Sequence, residues 1–136
     1  MNEDRNKELV RQITERIWNA HEYDKIPQYY AEDYVADYSP YAIRHGLEGI
    51  RGMVERSQTT FTDYHEELHE MIAEGDTVVL RITISGVQTG QWGQLPPTGK
   101  RVEFDEAVFL RFRDGKVIHQ RGIVDNLAAL RQLGVA

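Results

Sequence analysis

Residues 101–124 read RVEFDEAVFLRFR, then DG, then KVIHQRGIV. In the first run apolar and polar residues alternate with the period of a strand, placing Val102, Phe104, Glu106, Val108 and Leu110 on one face. Asp114-Gly115 is the two-residue turn that joins neighbouring antiparallel strands. The stretch therefore predicts a hairpin of Arg101–Arg113 and Lys116–Val124. By the same alternation Val117, His119, Arg121, Ile123 and Asp125 share a face of the second strand. Register around the turn brings Glu106 near residues 122–124.

Working outward, Thr77–Val87 is rich in Val, Ile and Thr and predicts a third strand, entered through a Glu74-Gly75-Asp76 turn. Asn126–Leu133 predicts a short closing helix that ends at Gly134. Toward the N-terminus, Asn6–His21 carries Leu9, Val10, Ile13, Ile17 and Trp18 at helical spacing. Asp24 is a candidate cap for a second short helix holding Ile26, Pro27, Tyr29 and Tyr30. Tyr34–Tyr38 predicts a short strand closed by Ser39-Pro40, and Leu47–Phe61 a third helix. Tyr64–Ala73 is ambiguous: its Glu, Leu, Met and Ala favour helix, while its place before a turn and a long strand favours a strand. Helices first and a meander of strands after them predict an α+β fold, with a curved antiparallel sheet packed on N-terminal helices and a pocket between them.

The chain has 136 residues, which suits one domain over residues 1–136. No cysteine is present, which excludes a disulfide framework, a thiolate metal site and a cysteine nucleophile. The net charge of −6, with no basic stripe, argues against nucleic acid as a partner. Met1–Lys7 is polar and no apolar run approaches the roughly 20 residues of a membrane helix. A cytoplasmic protein without membrane contact is expected.

Five features carry possible chemistry. His65-Glu66-Glu67-Leu68-His69 fits H-E-x-x-H; on a helix the histidines would share a zinc ion with Glu66 as base. On a strand they would stand about 13 Å apart, solvated among carboxylates. Glu106 is out of place among apolar neighbours. With Arg121 and Asp125 it forms a candidate acid/base set; the alternative is an Arg121–Glu106 salt bridge with Asp125 capping the last helix. Asp37, at the end of a short strand, is either a base at the cavity mouth or an exposed turn residue. The aromatic residues Trp18, Tyr23, Tyr29, Tyr30, Tyr34, Tyr38 and Tyr41 either pack the core or line a pocket. Gly90–Lys100, stiffened by Pro96-Pro97, is either a lid or a plain hairpin connection.

The run Gly90-x-Trp92-Gly93-x-Leu95-Pro96-Pro97-Thr98-Gly99-Lys100 resembles a segment of SnoaL-like ester and polyketide cyclases. Ile72-Ala73-Glu74-Gly75-Asp76 resembles another. So does the stretch from Phe104 to Val117, with Ile123-Val124-Asp125-Asn126 and Leu130-Arg131-Gln132-Leu133-Gly134. The resemblance implies a nuclear-transport-factor-2-like, ketosteroid-isomerase-like fold, a cone-shaped α+β barrel, and a strand for Tyr64–Ala73. It also implies that Asp125 is the acid/base of an intramolecular aldol closure and, more loosely, that Asp37 is a strand-end base. Relatives of this type commonly carry His or Asp where this chain has Val108, so Glu106 is the candidate for the missing polar group.

The expected activity is cofactor-independent acid/base chemistry, cyclisation or isomerisation, on a small hydrophobic carbonyl compound. Asp125, Glu106 and Arg121 are the expected catalytic set. Asp37, Trp18, Tyr34, Tyr38, Trp92, Phe104, Val108 and Ile123 are the expected substrate-binding residues. No metal and no cofactor is expected. The competing readings are a non-catalytic module that binds a small hydrophobic ligand and an epoxide hydrolase on the same fold. A homodimer is expected, because Ala107 and Phe109 make the opposite face of their strand apolar too. Charges at Glu103, Asp105 and Arg111 argue for a monomer.

Overall fold

The computed structural model describes residues 2–136; Met1, the first residue of the polar N-terminal stretch, lies outside them. Helix α1 spans Asn2–Ile13 and widens into a π-helical turn, Thr14–Asn19. A 3-10 turn at Tyr23–Lys25 leads to α2, Ile26–Tyr29, whose N-cap is Lys25 without a side-chain cap bond; the expected Asp24 cap is not formed. Then follow β1 (Tyr30–Tyr38), β2 (Ala42–His45) and α3 (Gly46–Thr60). Four long strands come next: β3 (Phe61–Glu74), β4 (Thr77–Gln88), β5 (Arg101–Arg113) and β6 (Lys116–Val124). Helix α4, Asn126–Gln132, follows β6.

The fold is α+β, as the sequence predicts, and its six strands lie in one open sheet in the order β2-β1-β6-β5-β4-β3. The sheet is mixed rather than wholly antiparallel. Helix α3 carries the chain from the β2 edge to the β3 edge, the meander β3–β6 walks back, and β6 arrives beside β1 running parallel to it. Tyr64–Ala73 lies within β3, so the ambiguous segment is strand.

The concave face and the helices share one apolar core. Val10, Ile13 and Ile17 pack from the first helical segment and Ile50 and Val54 from α3. The sheet supplies Leu80, Ile82, Ile84, Phe104, Val108 and Leu110 among others. On β5 every second residue from Val102 to Phe112 is buried without interruption. The turn at Asp114-Gly115 has φ 51° and 78°, the left-handed pair that a tight hairpin needs.

Strand β6 breaks the alternation read from its sequence. Arg111 pairs with His119 and Phe112 with Val117, so Ile118 is an extra residue in the ladder. Such a bulge moves every later side chain to the other face. The buried residue is Gln120, whereas Arg121 and Ile123 are exposed. The face expected to hold Arg121, Ile123 and Asp125 inward is thus turned outward, and Gln120, Gly122 and Val124 take its place.

Candidate functional site

A cavity of about 960 Å³ lies between the concave face and helices α1 and α3. Trp18, Tyr30, Tyr38, Phe61, Tyr64, Trp92 and Phe104 give it mostly aromatic walls, and Leu80, Ile82, Ile84 and Val108 an aliphatic floor. Two glutamates, Glu66 and Glu106, enter this lining from β3 and β5.

Glu106 faces inward because it sits on the unbroken alternation of β5. Its Oε2 accepts a hydrogen bond from the Tyr38 hydroxyl at 2.8 Å. That hydroxyl in turn accepts from Gln120 Nε2 at 2.9 Å, and Tyr34 donates to Gln120 Oε1 at 2.7 Å. A chain Tyr34–Gln120–Tyr38–Glu106 therefore crosses from β1 through β6 to β5. Gly122 makes it possible: a Cβ there would lie 2.0 Å from Glu106 Oε2 and 2.6 Å from the Tyr38 ring. Burial pushes the Glu106 carboxyl up to about 7, and the Tyr38 bond pulls against that rise.

Glu66 is the second buried carboxyl, and the sequence did not point to it as a cavity residue. It was the supposed base of a zinc motif, but the motif lies on a strand, so the helical face needed by that reading does not exist. His69 instead meets Thr83 Oγ1 at 2.6 Å on the exposed side. Among the described residues no group of three His, Cys, Asp or Glu gathers into a metal site. Glu66 points into the cavity with Tyr64, two residues away, whose hydroxyl donates to Glu66 Oε2 at 2.5 Å. Asn19, at the end of the π-helical turn, clamps the Glu66 backbone. Its Oδ1 accepts from the Glu66 N–H at 2.8 Å and its Nδ2 donates to the Glu66 carbonyl at 2.9 Å. Burial pushes the Glu66 carboxyl up to about 8; the Tyr64 bond opposes this and the Glu106 charge adds to it. The signal available was alternation: as a strand, residues 64, 66 and 68 share a face.

Burial raises both carboxyls above the ordinary carboxylate range and the Glu106 charge raises Glu66 further, so the pair favours a state with one carboxyl protonated and the other ionised. One cavity thus holds a proton donor and a proton acceptor at the same pH, with tyrosine hydroxyls beside both.

The structure separates the expected acid/base set. Of the three, Glu106 is in the cavity. Arg121 stands at its rim, largely exposed, donating to the carbonyls of Asp37 and Ser39 at 3.0 and 3.3 Å. Asp125 is exposed and caps α4, accepting from the Ala128 N–H at 3.1 Å. The bulge at Ile118 is the reason. Asp37, Arg121 and Asp125 do not gather inside the cavity. Asp37 also turns outward; Ser39 donates to it from N–H and hydroxyl at 3.0 and 2.6 Å. These bonds, and then Arg121, hold its carboxyl below the ordinary value. Trp18, Tyr38, Trp92, Phe104, Val108 and Ile123 are in the lining, Ile123 at its exposed edge. Tyr34 lies behind it, fully buried, acting through Gln120.

The Pro-Pro loop is a braced rim. Buried Gln88 donates to the carbonyls of Gly90 and Pro96 at 2.9 and 3.2 Å and accepts from the Thr98 N–H and hydroxyl at 3.0 and 2.6 Å. This sets Trp92 against Phe104, ring centroids 5.7 Å apart and stacked. Gly90 passes so close to the Thr59 carbonyl that no Cβ fits. Among the described residues no helix is long and apolar enough to cross a membrane.

No curated protein matches the chain by sequence. Solved structures do resemble it. TsrD from Streptomyces laurentii is 25% identical, with a TM-score of 0.88 over 98% of this chain and 97% of that one. IdmH from Streptomyces antibioticus is 26% identical, with a TM-score of 0.80 over 96% and 99%. A SnoaL-like polyketide cyclase from Agrobacterium tumefaciens, 22% identical, shares the fold with a TM-score of 0.82 over 95% and 98%. The family model of the SnoaL-like polyketide cyclases matches residues 8–133, nearly the whole described chain with its braced rim and its buried carboxyls, and the chain belongs to that family.

Proposed function

We propose that the protein catalyses cofactor-independent acid/base chemistry on a small hydrophobic carbonyl compound, with Glu106 as the base. The supporting observation is the pair of buried carboxyls, each bonded to a tyrosine, in an otherwise apolar cavity. Such groups cost stability when their charge is desolvated and are retained where they act. Glu106 Oε2 is held by Tyr38, and Oε1 takes no bond from any described residue. The ionised Glu106 removes the proton on the carbon next to the carbonyl; the C–H electron pair forms the enolate C=C bond and the C=O π pair moves to the carbonyl oxygen. The protonated Glu66 stabilises that oxygen by a hydrogen bond. In a cyclisation the enolate carbon then attacks a second carbonyl, a C–C bond forms, and Glu106 returns its proton to the new alkoxide. In an isomerisation the proton returns to another carbon.

The test needs no natural substrate. Deuterium incorporation beside the carbonyl of 1-tetralone, followed by NMR in heavy water, reads the first step alone. The protein should accelerate the exchange, the rate should rise with pH through about 7 as Glu106 ionises, and E106Q should abolish it. Exchange at the background rate would favour the reading as a non-catalytic binding module.

We also infer a homodimer through the convex face of the sheet. Ile72, Val79 and Phe109 lie in one cross-strand row there, with Ile123 on the next, and Ile72, Phe109 and Ile123 are 66%, 40% and 63% exposed. An unpaired row of this kind is uncommon on a monomer. Light scattering should give twice the 15.7 kDa chain mass, and F109E should return it to one.

A further inference from the structure

The mouth of the cavity carries two arginines, Arg44 and Arg56, that no carboxylate of the described residues neutralises. Arg44 lies on β2 opposite Ala36, a fully buried residue, so it stands on the concave side of the sheet. Arg56 lies on α3, one helical turn from Met53 and Thr60, which also line the cavity. Both arginines are in the lining themselves. Among the described residues neither reaches a carboxylate within ion-pair distance and neither donates a side-chain hydrogen bond. Arg11, Arg51, Arg81, Arg113 and Arg121 each find a carboxylate, and what sets Arg44 and Arg56 apart from the other unpaired arginines is that they line the cavity. Burial, and then the Arg44 charge, hold the Arg56 guanidinium below its ordinary value. Two like charges that disfavour one another are relieved by an anion between them.

We propose that Arg44 and Arg56 form an anion-binding mouth, and that the ligand of this cavity is an apolar molecule carrying a carboxylate or comparable anionic head. The aromatic walls take the body and the two guanidinium groups take the head. Guanidinium groups suit this task because they present paired donors to a two-oxygen anion and stay charged when partly dried. The head also fixes the direction of entry. The interior holds two carboxyls and no basic group, so an anion is repelled from the floor and held at the rim. The neutral carbonyl is left to reach Glu106. The proposal deepens the function proposed above and rests on it for one point only, that the cavity takes an organic ligand.

Calorimetric titration of the whole protein with 2-naphthylacetate and with its methyl ester isolates the charge, since the apolar bodies are the same. The acid should bind about tenfold more tightly than the ester, and the preference should shrink as salt is raised. In R44M/R56M, which keeps the apolar stems, acid affinity should fall to the level of the ester while ester affinity stays unchanged. R44K/R56K should keep a reduced preference. A third ligand, 2-naphthyl phosphate, tells a carboxylate head from a phosphate one by which anion binds more tightly. Equal affinity of acid and ester in the wild type, a preference insensitive to salt, or one that survives in R44M/R56M overturns the proposal. E106Q separates this result from the catalytic reading: it should lose deuterium exchange and keep the acid-over-ester preference.

Discussion

Strands β5 and β6 are joined by a two-residue turn and lie side by side, yet they treat their polar residues in opposite ways. On β5 the alternation is unbroken, and Glu106 ends up buried, tyrosine-bonded and raised to about 7. On β6 one extra residue, Ile118, reverses the pattern, and the charged side chains that follow point to water. Asp125 thereby becomes a helix cap rather than a cavity acid. A carboxylate's chemistry is decided by which side of the sheet it falls on, and a single residue in the ladder decides the side.

The largest effect that tests this contrast is on rate. E106Q should slow ketone deuterium exchange by about 10²–10⁴-fold, the usual contribution of a positioned base, whereas D125N should leave it within about twofold. A slow D125N and a fast E106Q would reverse the roles of the two strands. Next is the pH dependence of stability. The folded-state pKa values of Glu66 and Glu106, about 8 and about 7, lie above the ordinary 4.5 of an unfolded chain. The folded state therefore binds more protons than the unfolded state between those limits. Stability is greatest below about pH 4.5 as far as these groups are concerned, and is lost as pH rises through 7 and 8. E66Q should flatten that decline and raise stability at pH 8 by on the order of a few kcal/mol, read from urea midpoints across pH. A steeper decline in E66Q would mean that Glu66 is ionised in the native protein.

Two smaller effects sharpen the comparison. G122A inserts a methyl between Glu106 and Tyr38. It should cost about 1–3 kcal/mol of stability by overpacking and should also slow exchange, because the Tyr38 bond is displaced. D125A should cost about 1 kcal/mol as a lost cap, with D125N nearly neutral. Thermal melts of the three variants rank them.

Much of the fold was legible because β5 and the hairpin that joins it to β6 obey local rules: strict alternation along β5, β-branched residues and a turn that needs positive φ. The braced loop was legible as a family segment, but its cause was not. Thr98 matters through Gln88, ten residues earlier, and no spacing announces that pairing. The candidate site was half legible. Glu106 stood out as a charge in an apolar row. Glu66 did not, because H-E-x-x-H drew attention to the histidines, and because Tyr64–Ala73 had first to be known as strand. Gln120, Gly122 and the outward turn of Arg121 depend on the Ile118 bulge, and bulges leave little trace in a single sequence. The parallel pairing of β1 with β6 is a long-range event between residues 30–36 and 117–120, beyond any local pattern.

The clamp that Asn19 places on Glu66 has a second consequence, for association between molecules. Strand β3 is 14 residues long and forms an open border of the sheet. A border of that length offers bare N–H and C=O groups to any neighbouring chain and invites fibrous growth. Here the offer is withdrawn at three points. Asn19 occupies both backbone groups of Glu66, and two irregularities, between residues 62 and 65 and between 68 and 70, bend the border away from straightness. The opposite border, β2, is four residues long, too short to template a partner. The contact that aims a carboxyl into the cavity is thus also a guard for solubility, and loss of Asn19 would be felt first as aggregation on storage.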